Sequence, residues 1–261
     1  MNRVELSDGP IEYDDTGGDG PVIVFTHGFP MNGRQWGRVL PYLDGYRCVL
    51  PTFPLGAHRL PMHEYADLSQ QGLALLVGEF LEALDLDDVT LVVNDWGGPQ
   101  FLLGTPGVRR VGRLVLVACE AFDNFPPPPA RPLSLLCRAP GGTWLLTRLL
   151  GLRLVRHGRR TFGALSRAGL PDNLLDEWFA PARTDRLIRR DLRKFATGTP
   201  SRATLLEWSG RLRTFERPAL VVWADEDVMM PALHGPRLVA ALPNARLVTI
   251  EGSATLVPWD R

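Results

Sequence analysis

The sequence predicts an α/β fold, with a mostly parallel central sheet that is flanked by helices and interrupted by one helical insertion. Short, continuous apolar runs recur along the chain, as is typical of strands buried on both faces. Amphipathic helical patterns lie between these runs, and this alternation favours an open, mostly parallel sheet covered by helices. The length of 261 residues suits one α/β domain that carries an insertion.

The predicted strands lie in the first and last parts of the chain. Val4–Leu6 and Ile11–Tyr13 flank Ser7-Asp8-Gly9-Pro10, in which Asp-Gly is a hairpin signal. Leu68–Leu84 has apolar side chains at helical spacing, which predicts an amphipathic helix packed on the sheet. The other apolar runs predict strands at Pro21–Thr26, Tyr46–Leu50, Val89–Val93, Arg113–Ala118, Ala219–Trp223 and Ala245–Ile250.

The alternation of strands and helices stops after Ala118, and residues 122–210 contain no buried-strand run. The proline stretch Pro126–Pro129 predicts an extended linker, and Leu133–Arg160 and Leu174–Phe195 look helical. This insertion has 14 arginines and one lysine against seven acidic residues, so its surface is basic. We therefore predict an α/β core at residues 1–121 and 211–261, with a helical insertion at 122–210.

The composition excludes several classes of protein. The 29 basic and 29 acidic residues balance, so a general affinity for nucleic acid is not expected. No apolar run is long enough to span a bilayer, and the N-terminus has no secretion signal. The three scattered cysteines predict free thiols in a cytoplasmic protein, and the single lysine indicates a GC-rich bacterial genome. The sequence has no dinucleotide-binding glycine motif after a strand and no Cys/His metal cluster, so it predicts no cofactor and no metal.

Two motifs directly follow predicted strands. His27-Gly28-Phe29-Pro30 comes after the strand at Pro21–Thr26, and Asn94-Asp95-Trp96-Gly97-Gly98 comes after Val89–Val93. The second motif places one reactive side chain among small residues, as a sharp strand-to-helix turn requires. Asp95 as the N-cap of a following helix is the alternative, and the paired motifs favour a reactive position.

Together these motifs resemble the α/β-hydrolase fold family, and within it the aspartate-nucleophile branch of epoxide hydrolases and haloalkane dehalogenases. The resemblance covers about residues 11–259 and implies that residues 122–210 form a cap over the site; we call them the cap segment. It also implies that Asp95 is the nucleophile and that the backbone N–H groups of Phe29 and Trp96 form the oxyanion hole. The acid of the family corresponds to Asp227, after the strand at Ala219–Trp223, with Glu120 as the alternative.

The chain departs from the family at two points. Thr255 occupies the position of the catalytic histidine, and a threonine hydroxyl cannot act as a base near neutral pH. We consider His58, in a loop at the C-terminal edge of the sheet, as the best candidate for a replacement base. The cap segment also contains no tyrosine to protonate an epoxide oxygen; it offers tryptophans, which either contact substrate or pack in the core, namely Trp144, Trp178 and Trp208.

These residues support three hypotheses of function. The first is a hydrolase of the epoxide hydrolase or dehalogenase type, with Asp95 as the nucleophile and an atypical activation of water. The second is an isomerase, cyclase or lyase in which Asp95 is a general acid or base, and the third is an inactive binding protein. In each case the expected partner is a small hydrophobic molecule, with neither nucleic acid nor membrane, and a homodimer is left open.

Overall fold

A computed structural model describes residues 1–96, 102–159 and 161–261 and shows an eight-stranded sheet at the centre of the molecule. The first strand pairs antiparallel with the second, and the second pairs antiparallel with the fourth. All other neighbouring strands are parallel. Along the chain the strands are β1 Asn2–Leu6, β2 Gly9–Asp15, β3 Val22–Phe25, β4 Arg47–Thr52, β5 Val89–Asp95, β6 Val111–Cys119, β7 Ala219–Ala224 and β8 Ala245–Ile250, in the spatial order β1-β2-β4-β3-β5-β6-β7-β8. The predicted fold class is therefore confirmed.

Helices cover the sheet and fill the stretch between β6 and β7. The amphipathic pattern at Leu68–Leu84 forms a helix at Gln70–Ala83, whose N-cap Ser69 accepts a hydrogen bond from the N–H of Gly72. The α-helices with defined bounds are α1 Gln70–Ala83, α2 Arg131–Arg138, α3 Gly142–Leu150, α4 Arg153–Arg156, α5 Asp172–Thr184, α6 Arg186–Thr197, α7 Arg202–Ser209, α8 His234–Ala241 and α9 Val257–Asp260. Short 3₁₀ helices lie at Gly33–Trp36, Leu40–Tyr42, Pro106–Arg110, Pro128–Ala130, Phe162–Ala164 and Gly210–Thr214.

The cap segment has more breaks than its apolar pattern predicts. The predicted helix Leu133–Arg160 is divided into α2, α3 and α4, and Arg160 itself lies outside the described residues. The break between α2 and α3 falls at Gly141, whose φ of +72° is left-handed and favours glycine. Asp185 separates α5 from α6 and caps α6 by accepting a hydrogen bond from the N–H of Leu187.

Two large apolar clusters organise the packing. One lies between the sheet and α1 and extends to the end of the cap segment, where it includes Phe195 and Trp208. The other consists mainly of side chains from the cap segment, but Met31 and Leu256 of the surrounding chain are fully buried in it. The cap segment therefore packs firmly against the ends of the sheet. The division of the chain at residues 122 and 210 stays a prediction.

Candidate active site

Asp95 is the last residue of β5, and the chain bends at Trp96, where the sequence motif predicts the start of a turn. Its backbone has a φ of +58°, a left-handed conformation that is uncommon for a residue with a side chain and is found where a turn is tightly constrained. The Oδ2 atom of Asp95 accepts a hydrogen bond from the backbone N–H of Phe29 at 2.9 Å. A Cβ on Gly28 would lie 2.5 Å from the same oxygen, so this close approach requires glycine. Gly97 and Gly98, the other small residues of the motif, lie outside the described residues.

A buried amide network connects the three loops around Asp95. The side-chain oxygen of Gln35 accepts from the N–H of Gly28 at 2.8 Å, and its amide nitrogen donates to Asn94 Oδ1 at 2.8 Å. Asn94 Nδ2 donates to the carbonyl oxygens of Val117 and Thr255, both at 2.8 Å. These bonds fix the loop of Phe29, the turn of Asp95 and the loop of Thr255 relative to one another. Gln35 carries no motif, and sequence reasoning missed it.

Asp95 faces a cavity between the ends of the strands and the cap segment. Its water-accessible volume is about 90 Å³, several times the ~10–15 Å³ that one water molecule needs. The sheet side is formed by Asp95, Phe29 and Glu120, and the lining from the cap segment is mainly apolar, with Phe125, Leu133, Leu150, Phe162 and Phe195. The structure therefore brings together three of the predicted site residues. Trp96 and Asp227, also predicted here, do not line the cavity; Trp96 is buried and Asp227 is partly buried.

The two carboxyl groups of the cavity are both less acidic than usual. Burial raises the pKa of Asp95 to about 6, the Phe29 N–H opposes the shift, and the charge of nearby Asp227 adds to it. Burial also raises the pKa of Glu120 well above its usual value, and the charge of Asp95 raises it further. The Oε2 atom of Glu120 is buried and has no hydrogen-bond partner in the described part of the chain. One proton shared by such a pair is favoured on Glu120, whose Oε2 receives no donor from the described residues, over Asp95, whose Oδ2 receives the Phe29 N–H.

Asp227 and Thr255 form a hydrogen-bonded pair, and Asp227 Oδ2 is buried without a partner among the described residues. The hydroxyl of Thr255 donates to Asp227 Oδ1 at 2.8 Å, and the same oxygen accepts from the N–H groups of Met229 and Met230. Thr255 is fully buried and Asp227 is partly buried, and burial raises the pKa of Asp227. By the resemblance, Asp227 would orient a catalytic histidine. Here it is bonded to the hydroxyl of Thr255, which cannot act as a base.

None of the five histidines, all within the described residues, lines the cavity. His27 is fully buried; its Nδ1 bonds the carbonyl of Gly28 and its Nε2 accepts from the N–H of Phe53. Burial lowers the pKa of His27 to about 4, so the ring is neutral and structural. His27 therefore orders the loop before Phe29 and has no free nitrogen to act as a base.

The proposal of His58 as a replacement base is corrected by its position. His58 is buried between the core and α6, where its Nε2 lies 3.3 Å from Asp191 Oδ2. Its Nδ1 accepts from the N–H of Gly56 at 3.3 Å, so both ring nitrogens are engaged away from Asp95. The sequence placed His58 at the correct edge of the sheet but could not show that a cap carboxylate pairs with it.

The three cap tryptophans predicted to bind substrate do not line the cavity either. Trp144 is 51% exposed on the outer side of α3. The indole N–H of Trp178 donates to Asn32 Oδ1 at 3.0 Å, and Trp208 packs in the apolar cluster under the sheet. Trp178 and Trp208 are therefore packing residues, the second of the two roles that the sequence left open. The indole N–H of Trp96, next to Asp95, donates to Gln70 Oε1 at 2.6 Å and is not directed to a ligand.

Across residues 1–96, 102–159 and 161–261, no group of three or more His, Cys, Asp or Glu side chains is arranged to hold a metal ion. In the same part of the chain, every helix is too short or too polar to cross a bilayer.

Comparison with known proteins supplies an independent view of the chain. The model of the alpha/beta hydrolase fold family matches residues 21–261. A 2-hydroxy-6-oxononadienedioate/2-hydroxy-6-oxononatrienedioate hydrolase from Cupriavidus pinatubonensis is 27% identical, over 98% of this chain and 89% of the relative. A haloalkane dehalogenase from Mesorhizobium japonicum is 28% identical over 54% of this chain and 47% of its own. The solved structure of the epoxide hydrolase CorEH superposes with a TM-score of 0.77 at 17% identity, covering all of this chain and 93% of that structure, a likeness of fold alone.

Proposed function

Because the chain belongs to the α/β-hydrolase fold family, we propose that it is an enzyme in which Asp95 is a general base that moves a proton next to a carbonyl group. The reaction class is an isomerisation, elimination or cyclisation of a small apolar molecule. One observation carries the proposal: Asp95 is buried at the turn after β5, in an apolar cavity that none of the five histidines lines.

The protonation behaviour of Asp95 supports this role. A general base works best when its pKa lies near the operating pH, and burial raises the pKa of Asp95 to about 6. The Phe29 N–H holds Oδ2 and thereby fixes the orientation of the carboxyl group in the cavity. Hydrolysis by the route of the family needs a second base for water, and Thr255 is bonded to Asp227 instead. Proton transfer needs only the carboxyl group itself.

The lining of the cavity limits the substrate class. Among the described lining residues there is no Lys, Arg or His, and the acidic side chains are Asp95 and Glu120. A dioate, the substrate type in the name of the Cupriavidus pinatubonensis relative, would bring two carboxylates without a counter-charge. We therefore assign a neutral, apolar ketone or related carbonyl compound to this site.

The direct test of the proposed function is exchange of carbon-bound hydrogen. Purified protein is incubated in deuterium oxide with cyclohexanone and with larger apolar ketones, and deuterium at the α-carbon is followed by NMR. We expect exchange well above the buffer rate for at least the ketones that fit the cavity. Exchange at the buffer rate for the whole series would refute the assignment of Asp95 as a base for carbonyl compounds.

We expect the exchange rate to increase with pH through the pKa of Asp95. A base accepts a proton only when it is ionised, so kcat/KM should be low in acid, rise through about pH 6 and level off above it. The measurement is kcat/KM for α-proton exchange at a series of pH values and constant ionic strength. A rate that stays flat across this range would show that another group is the base.

A second function is favoured by the hydrogen bond from Phe29. With Oδ2 held by that N–H, the other carboxylate oxygen is oriented as a nucleophile, as in the hydrolase hypothesis. An activated epoxide or alkyl halide would then alkylate Asp95, and the ester would persist because no imidazole activates water. Intact-mass spectrometry should show such an adduct, and peptide mapping should locate it at Asp95.

The Thr255→His variant is expected to hydrolyse that adduct faster than the wild type. An imidazole at this position would lie beside Asp227, whose Oδ1 is 2.8 Å from the present hydroxyl, and a positioned general base accelerates such steps about 10²- to 10⁴-fold. Thr255→Val is the matched control, because it removes the hydroxyl without adding a base. Equal decay rates in both variants would count against an ester-forming route completed by histidine.

A further inference from the structure

We propose that Glu120 is a second catalytic residue, a neutral carboxylic acid that donates its proton to the carbonyl oxygen while Asp95 takes a proton from the adjacent carbon. The inference rests on the proposed function and deepens it, because it defines what the substrate must carry. The substrate class is an apolar ketone with a hydrogen on its α-carbon and with its oxygen facing Glu120.

Glu120 lies beside Asp95 in the same cavity. It follows β6, and its side chain lines the same cavity as Asp95 while being only 5% exposed. Its backbone N–H donates to the backbone carbonyl of Asp95 at 2.9 Å, so the two residues lie side by side at the ends of neighbouring strands. Its Oε2 atom is buried and lacks a hydrogen-bond partner in the described chain, which is an unsatisfied position that a ligand oxygen could fill.

The two carboxyl groups of the cavity divide their charge unequally. Two carboxylates in one apolar cavity repel each other, so one of them keeps its proton. Asp95 receives the Phe29 N–H, which stabilises its ionised form, while Glu120 Oε2 receives no donor within the described residues. Glu120 is therefore the neutral acid and Asp95 the ionised base. A buried carboxylic acid that stays neutral at neutral pH can donate a hydrogen bond to a developing oxyanion.

The predicted oxyanion hole is partly occupied by the protein itself. The Phe29 N–H is already used by Asp95 itself, so it does not offer its proton to a substrate oxygen in this arrangement. An enolate needs a donor at its oxygen, and Glu120 is the remaining acid among the described lining residues. In this division of roles Glu120 supplies the proton at the substrate oxygen, and Asp95 remains the base at the adjacent carbon.

The reaction balances without a further reactant. Asp95 accepts the α-proton, the C–H electron pair forms the C=C bond of an enol, and the carbonyl oxygen takes the proton of Glu120. In the return step the enol O–H gives its proton back to Glu120, and carbon takes a proton from Asp95, at the same carbon or at a conjugated one. The first outcome exchanges hydrogen with solvent through Asp95, and the second isomerises a double bond. Both carboxyl groups finish in their starting states.

Binding of phenols tests the donor role of Glu120 without turnover. Phenolate resembles an enolate, so para-nitrophenol serves as the probe. It is titrated into the Asp95→Asn protein and into the same protein that also carries Glu120→Gln or Glu120→Ala. The absorbance of the bound phenol reports its ionisation. Loss of one hydrogen bond to a charged oxygen should weaken binding about 10- to 100-fold in Glu120→Ala. Glu120→Gln, which retains an N–H donor, should lose less. Nitrobenzene, which lacks the hydroxyl, should bind all three proteins equally.

Ketone exchange is the second readout. It is measured in proteins that retain Asp95 and carry either Glu120 or one of its two substitutions. Glu120→Ala should lower kcat for cyclohexanone more than it changes KM, and it should remove any decline of the rate at high pH, where Glu120 loses its proton. Normal exchange in both Glu120 variants would overturn the role of Glu120 and leave Asp95 as the base. If phenol binding depends on Glu120 but the protein exchanges no ketone, the proposed function is refuted, while the role of Glu120 as a hydrogen-bond donor stands. Equal phenol binding in all variants would overturn the inference.

Discussion

The rate of α-proton exchange is expected to be about 10²- to 10⁴-fold lower in the Asp95→Asn variant than in the wild type, because a positioned general base usually contributes this much. Asparagine has nearly the same shape and retains an acceptor for the N–H of Phe29, which holds Oδ2 of the aspartate at 2.9 Å. The turn after β5 should therefore be preserved while the base is lost. The measurement is the exchange rate of cyclohexanone at neutral pH, and a variant that exchanges at the wild-type rate would exclude Asp95 as the base.

The same variant should be more stable than the wild type at neutral pH. Burial raises the pKa of Asp95 from 3.8 to about 6, so the folded protein binds this proton more tightly than the unfolded chain. The free energy of unfolding therefore falls as pH rises from about 4 to about 6, by about 3 kcal/mol in order of magnitude. Asparagine has no such penalty, and its gain should be present above pH 6 and absent in acid.

Urea unfolding checks this stability change. It is measured at neutral pH and again at an acid pH below the pKa of an unfolded aspartate. Asp19→Asn, at an exposed position in a loop, is the matched control and should show no gain at either pH. A gain in stability combined with a loss of exchange would identify Asp95 as a residue kept for chemistry. A loss of stability at neutral pH would show instead that its carboxylate is favourably bonded in the folded state.

The strands and the turn at Asp95 could be predicted from the sequence because local residues determine them. A run such as Ala219–Trp223 is apolar at every position, and it forms β7 almost as predicted. The turn after β5 depends on a short motif whose partner, the loop of Phe29, also follows a strand. Because parallel strands end at the same edge of the sheet, the hydrogen bond between Phe29 and Asp95 follows from topology.

Contacts between distant segments could not be predicted in the same way. His58 and Asp191 are 133 positions apart, and their pairing depends on how α6 packs on the core. The role of Gln35 likewise arises from two partners, Gly28 and Asn94, that no spacing rule connects to it. The sequence left open whether the cap tryptophans contact substrate or pack in the core, and the indole N–H of Trp178 donates to Asn32. Such outcomes depend on three-dimensional packing, which periodicity does not specify.

The Asp191→Ala variant is expected to lose about 3–5 kcal/mol of unfolding free energy, the typical effect of removing one partner from a buried charged network. Asp191 lies on α6 and is fully buried. Its Oδ2 accepts from the N–H of Met62 at 2.9 Å and lies 3.3 Å from His58 Nε2, while Oδ1 accepts from Arg190 at 2.8 Å. Alanine would remove the acceptor of the Met62 N–H and the counter-charge of Arg190. This carboxylate therefore connects the cap segment to the core.

Asp185→Ala, on the same helix, is the matched control for Asp191→Ala. Asp185 caps α6 through the N–H of Leu187 but lies at the surface, so its loss should cost about 0.5–2 kcal/mol. Urea unfolding of both variants under one set of conditions gives the comparison. Because His58 pairs with Asp191 and lies outside the cavity, His58→Ala should likewise lower stability more than it lowers α-proton exchange. If Asp191→Ala were no less stable than Asp185→Ala, the buried carboxylate would not be the anchor of the cap segment.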